Sequence, residues 1–139
     1  MRNLAALALG LMVMGLGIYG AAAVAPLAFP AAFDARGYTT NTLALIVMLA
    51  ITEIFTMFAG WVTARLATDH LPGHALMMAI VGLSIAVFVG AVRWSAAPAW
   101  YYIVSWTLIP VAGALGAFAW ERSLRRNGSR NVSQRVAAT

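Results

Sequence analysis

Few side chains in this sequence could do chemistry. It has four carboxylates (Asp34, Glu53, Asp69 and Glu121), two histidines (His70 and His74) and no cysteine. Glu53 stands out because it lies well inside an apolar run, Leu43 to Ala67. A charge at the bilayer centre costs roughly 2.5–3.5 kcal/mol on insertion scales, so an intramembrane carboxylate is a functional candidate. Its chemistry would be proton or cation binding from a water path, or hydrogen bonding as a neutral acid. His70 and His74 have the His-x-x-x-His spacing of a metal pair, which works when both lie on one helix. Pro72-Gly73 interrupts that face, so no metal site is expected. Asp34 and Asp69 fall in loops on opposite sides of the apolar runs, so they cannot form a carboxylate dyad. No Ser/His/Asp set converges at one depth, and no glycine-rich loop cradles phosphate. The expectation is a non-enzymatic chain with no cofactor.

The solvent around these residues follows from composition. The chain is 63% hydrophobic and 9% charged over 139 residues, against about 45–50% and about 25% in soluble domains. A globule of this size could not hide that much apolar surface, so lipid must cover it. Without cysteine, disulfides, thiol catalysis and thiolate metal sites are excluded. The net charge of +5 comes largely from the arginines after Trp120, which read as the cytoplasmic excess of an inner-membrane protein and not as a nucleic-acid surface. Abundant alanine and arginine without lysine suggest a bacterial source of high GC content.

Four runs meet the length of about 17–25 residues for a helical span: Leu4 to Ala25, Leu43 to Ala67, Ala75 to Val92, and Ala99 to Trp120. Short connections predict an all-α, up-down-up-down antiparallel bundle. An arrangement with both termini cytoplasmic puts Arg2, Arg65, Arg122, Arg125, Arg126, Arg130 and Arg135 inside and leaves Arg36 and Arg93 outside, as the positive-inside rule prefers. Tyr38, Trp94, Trp100, Tyr101 and Tyr102 then mark the outer interface, and Trp61 and Trp120 the inner one. A rival reading takes Arg2 and the first run, ending in Ala21-Ala-Ala-Val-Ala25, as a cleaved signal peptide. Pro26 and Pro30 are expected to bound the first helix, with a broken turn to Phe33. The organisation is thus one transmembrane domain, 1–120, and a basic tail, 121–139, expected to be disordered and drawn to anionic lipid.

Lipid supplies no hydrophobic drive between helices, so small residues must let backbones approach. Gly82, Ala86 and Gly90 form such a ladder in the third span, Gly60 and Ala64 continue one in the second, and Gly113 and Gly116 belong to the fourth. Leu49, Glu53, Thr56, Met57, Gly60 and Ala64 share one helical stripe, so Glu53 should face protein. Desolvation favours the neutral acid, which then needs an acceptor. Pro110 frees the carbonyl of Trp106. Counted from the outer helix ends, Trp106 is roughly 11 Å deep and Glu53 roughly 15 Å. The expected site is therefore Glu53 bonded near the Pro110 kink, with Thr107, Ser105 and Ser84 as alternative partners and Thr56 beside it.

The segment Ala59-Gly60-Trp61-Val62-Thr63-Ala64-Arg65-Leu66-Ala67 resembles a Gly-Gly-aromatic-x-Ala-Ala-Arg-x-Ala pattern of small, uncharacterised four-helix bacterial inner-membrane proteins. His74 matches a histidine opening their third helix, and Trp100-Tyr101 a pair opening their fourth. Pro110, Gly113, Gly116 and Arg122 match that helix's proline, small residues and basic end. The likeness covers roughly residues 50–125, departs at Ala59 and Thr63, and implies a four-helix fold without an attached activity. Four-helix multidrug transporters also hold a membrane glutamate, but in the first span and in unlike sequence. The expected role is an accessory or structural subunit, partnered with lipid and with a larger membrane complex or further copies of itself. The alternative is a small oligomeric proton-coupled transporter or channel subunit using Glu53.

Overall fold

The computed structural model describes the backbone of residues 2–67 and 71–137, and the side chains there except 71–72 and 127–137. Asp69 and His70 lie outside the described residues. Four helices make up the architecture: α1, Arg2–Ala28; α2, Thr42–Leu66; α3, Leu71–Val92; and α4, Ala99–Ala137. Single 3-10 turns at Pro30–Ala32 and Trp94–Ala96 lie in the α1–α2 and α3–α4 connections. All four helices are long and apolar enough to cross a membrane, with mean hydropathy of 2.0, 2.1, 2.5 and 1.6 over their apolar stretches.

Two helix ends differ from expectation. Pro26 lies inside α1 and does not end it. It sits in the last turn, where its missing N–H removes a single bond, and Phe29 N–H still reaches the Ala25 carbonyl at 2.9 Å. α4 does not stop at Trp120 but continues to Ala137. A helix already nucleated by a span extends at one hydrogen bond per residue fixed. The Glu121–Arg125 pair at 2.7 Å supports the first tail turn at i,i+4 spacing. Likewise, α4 runs through Pro110 without interruption.

Contacts fix the topology. Gly10 and Gly17 of α1 face Thr63 and Phe55 of α2, so these helices are antiparallel. Gly90 faces Tyr102 and Trp106 while Gly113 faces Ala79, so α3 and α4 are antiparallel as well. Ala59 clusters with Ile109 and Ala64 with Ala117, so α2 and α4 run the same way, and α2 is the hub, packing most heavily against both α1 and α4. One core cluster takes Met14, Ala59, Met78 and Ile109, one residue from each helix, and Ala86 packs at its edge. A second joins Ala64, Ala75 and Ala117.

Size is sorted in the sense opposite to a soluble bundle. Much of the interior is Ala, Gly and Thr, while Leu16, Leu27 and Phe88 are 66%, 81% and 71% exposed. Such a surface is stable where the solvent is lipid, and small residues inside are what packing without a hydrophobic drive requires.

At the end carrying Tyr38 and Trp94, the two connections are tied together. Thr39 donates its hydroxyl to the Ala32 carbonyl at 2.6 Å, and its N–H reaches the Ala96 carbonyl at 3.2 Å. Asp34 Oδ1 accepts from the N–H groups of Arg36 and Tyr38, each at 2.8 Å. Gly37 closes that turn at φ +75°, a left-handed conformation that favours glycine. Asn41 caps α2 by accepting from Ala44 N–H at 3.1 Å.

Candidate functional site

The candidate site lies on the seam between the parallel helices α2 and α4. Small residues let the two backbones meet. A Cβ placed on Gly60 would overlap the Gly113 carbonyl, and one on Gly116 would overlap the Met57 carbonyl and crowd Trp61 N. Ala64 and Ala117 continue the contact one turn further. Each helix thus presents a small-x-x-x-small pair, Gly60/Ala64 and Gly113/Ala117, which is the pattern that allows close approach in lipid. Extending this register away from the basic tail brings Glu53 level with Trp106.

Both carboxyl oxygens of Glu53 are buried, and neither has a hydrogen-bond partner. Glu53 therefore faces protein, as its stripe predicts, but the expected bond near Pro110 is absent. The reason is local. In an apolar helix a hydroxyl satisfies itself on the carbonyl one turn back. Thr107 donates to Ile103 O at 2.8 Å and Ser84 to Ile80 O at 2.9 Å, both on exposed faces. Thr56 is fully buried and donates to Thr52 O at 2.9 Å. Ser105 is half-buried and makes no bond to Glu53. The Trp106 ring turns to α3, where it covers Gly90 and packs at a tilt against Trp94 and Tyr102 at 6.1 and 6.0 Å.

The packing glycines divide between interfaces. Gly60, Gly113 and Gly116 belong to the α2–α4 seam, Gly82 rests against the Met14 thioether of α1, and Gly90 against the α4 aromatics. Gly15 and Gly20 of α1 have open space where a side chain would stand.

Two features escaped sequence reasoning. Thr63 donates to Ala59 O at 2.9 Å and also approaches the Ala6 carbonyl of α1 at 3.4 Å, linking two helices. The Arg65 guanidinium lies over Trp61 and Trp120, at 5.2 and 5.6 Å from the ring centres. The i,i+4 spacing of Trp61 and Arg65 was the available signal for that last contact.

A cavity of about 490 Å³ opens on the outer surface between α2 and α4. Its walls are Ile54, Phe55, Met57, Phe58, Trp61, Gly116 and Ala119, so it is apolar throughout, and Glu53 is not among them. Among the described residues, no three metal-ligating side chains gather. No protein-family model, curated protein or solved structure matches this chain.

Proposed function

We propose that this chain is a non-enzymatic multipass protein of the bacterial inner membrane, with both termini cytoplasmic, serving as an accessory or structural subunit of a larger membrane assembly. The observation that carries the reading is the closure of the Glu53 seam. The carboxyl oxygens are buried, and Thr56, Ser84 and Thr107 spend their hydroxyls on their own helices. A proton or cation carrier needs polar groups leading to its carboxylate, so this arrangement speaks against a carrier role for Glu53. The outward glycines of α1 supply a surface on which a partner helix could pack closely. Anionic lipid would hold the arginine-rich end of α4.

One observation favours a second reading, a small oligomeric proton-coupled transporter or channel subunit. A buried carboxyl group without a partner is costly to leave unsatisfied, and intramembrane ionisable groups often mark ion paths. Affinity purification in mild detergent, followed by identification of co-purifying proteins, separates the two. A stoichiometric larger complex supports the subunit reading. A homo-oligomer free of other proteins supports the transporter, and a lone monomer contradicts both.

A further inference from the structure

We propose that the groove between α2 and α4 is a specific site for an anionic glycerophospholipid, with an acyl chain lying in the groove and the phosphate held by Arg65 and Arg122. The groove is walled by Ile54, Phe55, Phe58 and Trp61 of α2 and by Gly116 and Ala119 of α4. Gly116 forms its floor, where the α4 backbone comes so close to α2 that a side chain would collide with it. From Ile54 to Trp61 it runs roughly 10 Å along the helix axis, and its volume of about 490 Å³ is within the ~300–1,000 Å³ of ordinary ligand sites. All its walls are apolar, which suits a hydrocarbon chain and not a polar solute.

Charge identifies the headgroup. At the end of the groove, Trp61 stacks on Phe58 at 5.5 Å and meets Trp120 edge-on at 5.7 Å. Arg65, one turn beyond Trp61, lies over both indoles while remaining exposed. The rings hold the guanidinium in place with its donor edge available, and a planar fork of donors suits phosphate. Arg122 follows Ala119 by three residues, so it extends the groove-lining side of α4 by one turn, and it too is exposed. Arg125, by contrast, is engaged by Glu121 at 2.7 Å. A second copy packed here about a two-fold axis along the membrane normal would bring like arginines together, which disfavours that occupant.

This inference does not rest on the subunit reading. The test uses the full chain, purified in mild detergent, stripped of lipid and examined by native mass spectrometry with dioleoyl-phosphatidylglycerol or dioleoyl-phosphatidylcholine. The expected result is preferential retention of the anionic phosphatidylglycerol. Arg65→Gln should lower its retention about fivefold, and Arg65→Lys, which keeps the charge but loses the planar fork, should retain only part of the preference. Ala119→Phe, which fills the groove from an exposed position, should lower retention of both lipids. Arg125→Gln combined with Arg126→Gln should leave the preference in place. Equal retention of the two lipids, indifference to Arg65→Gln, loss of the preference in the tail variant, or a protein dimer that disappears on Ala119→Phe would each overturn the proposal.

Discussion

Gly60 of α2 faces Gly113 of α4 so closely that a single methyl group on Gly60 would occupy the position of the Gly113 carbonyl. The two helices run in the same direction, so this contact and the one at Gly116 set how every other residue on the seam meets its neighbour. Glu53 lies on the same helical face as Gly60, with both carboxyl oxygens buried.

The first prediction concerns the seam. Gly60→Val and Gly116→Leu drive side chains into backbone, which cannot yield as a flexible side chain can. Each should destabilise the detergent-solubilised protein by about 1–3 kcal/mol, the usual range for overpacking, or prevent folding. Gly15→Ala and Gly20→Ala meet open space and should hold or raise stability by up to ~1 kcal/mol, since alanine is the better helix former. Thermal unfolding followed by circular dichroism in mild detergent checks the contrast. In the subunit reading, the α1 variants should instead weaken co-purification.

Glu53 provides the second. Its oxygens have no partner, so Glu53→Gln should fold and unfold within about 1 kcal/mol of the parent. Glu53→Leu removes an unsatisfied buried polar group and should stabilise the isolated protein, by up to ~1–3 kcal/mol. Equilibrium unfolding of both variants decides the matter. A marked loss of stability in Glu53→Leu would mean that the carboxyl group makes a bond within the monomer.

Four spans could be read from hydropathy because a run such as Ala75 to Val92 has no other stable solvent than lipid. The burial of Glu53 was legible for a similar reason, since Gly60 and Ala64 share its stripe. That its carboxyl oxygens find no partner was not legible. That depended on the rotamers of Thr107, Ser84 and Ser105, and sequence does not reveal that a hydroxyl prefers its own helix to a neighbour. Helix ends were also misplaced: a proline at position 26 removes one bond near a terminus, and the end of the apolar run at Trp120 does not stop a helix already formed. The Arg65 platform depended on Trp120 arriving from another helix, which periodicity along α2 cannot supply.

Hydroxyl placement makes a third prediction. Thr63 approaches the Ala6 carbonyl across the α1–α2 interface, whereas Thr107 and Ser84 bond within their helices on exposed faces. Thr63→Val should cost about 0.6 kcal/mol, the average for an interhelical bond in a membrane protein. Thr107→Val and Ser84→Ala should be neutral in the same unfolding assay.

The cap of α2 makes a fourth. Asn41 accepts from Ala44 N–H, and its own N–H bonds to Thr39 Oγ1 at 3.1 Å, within the connection that reaches Ala96. Asn41→Ala should cost about 1 kcal/mol, and Asn41→Asp should retain most of the stability. Hydrogen exchange at the first turn of α2 should accelerate in the alanine variant.

Closure of the Glu53 seam is the central claim, and the absence of cysteine from the sequence permits a direct measurement. A single-cysteine variant, Glu53→Cys, is treated in intact membranes with a hydrophilic maleimide applied from either side. Ala35→Cys, on an exposed connection, serves as the reactive control. The account predicts that the control labels from one side and that position 53 stays unlabelled until the protein is unfolded. Prompt labelling at position 53 from either side would place water at the seam and contradict the structural reading.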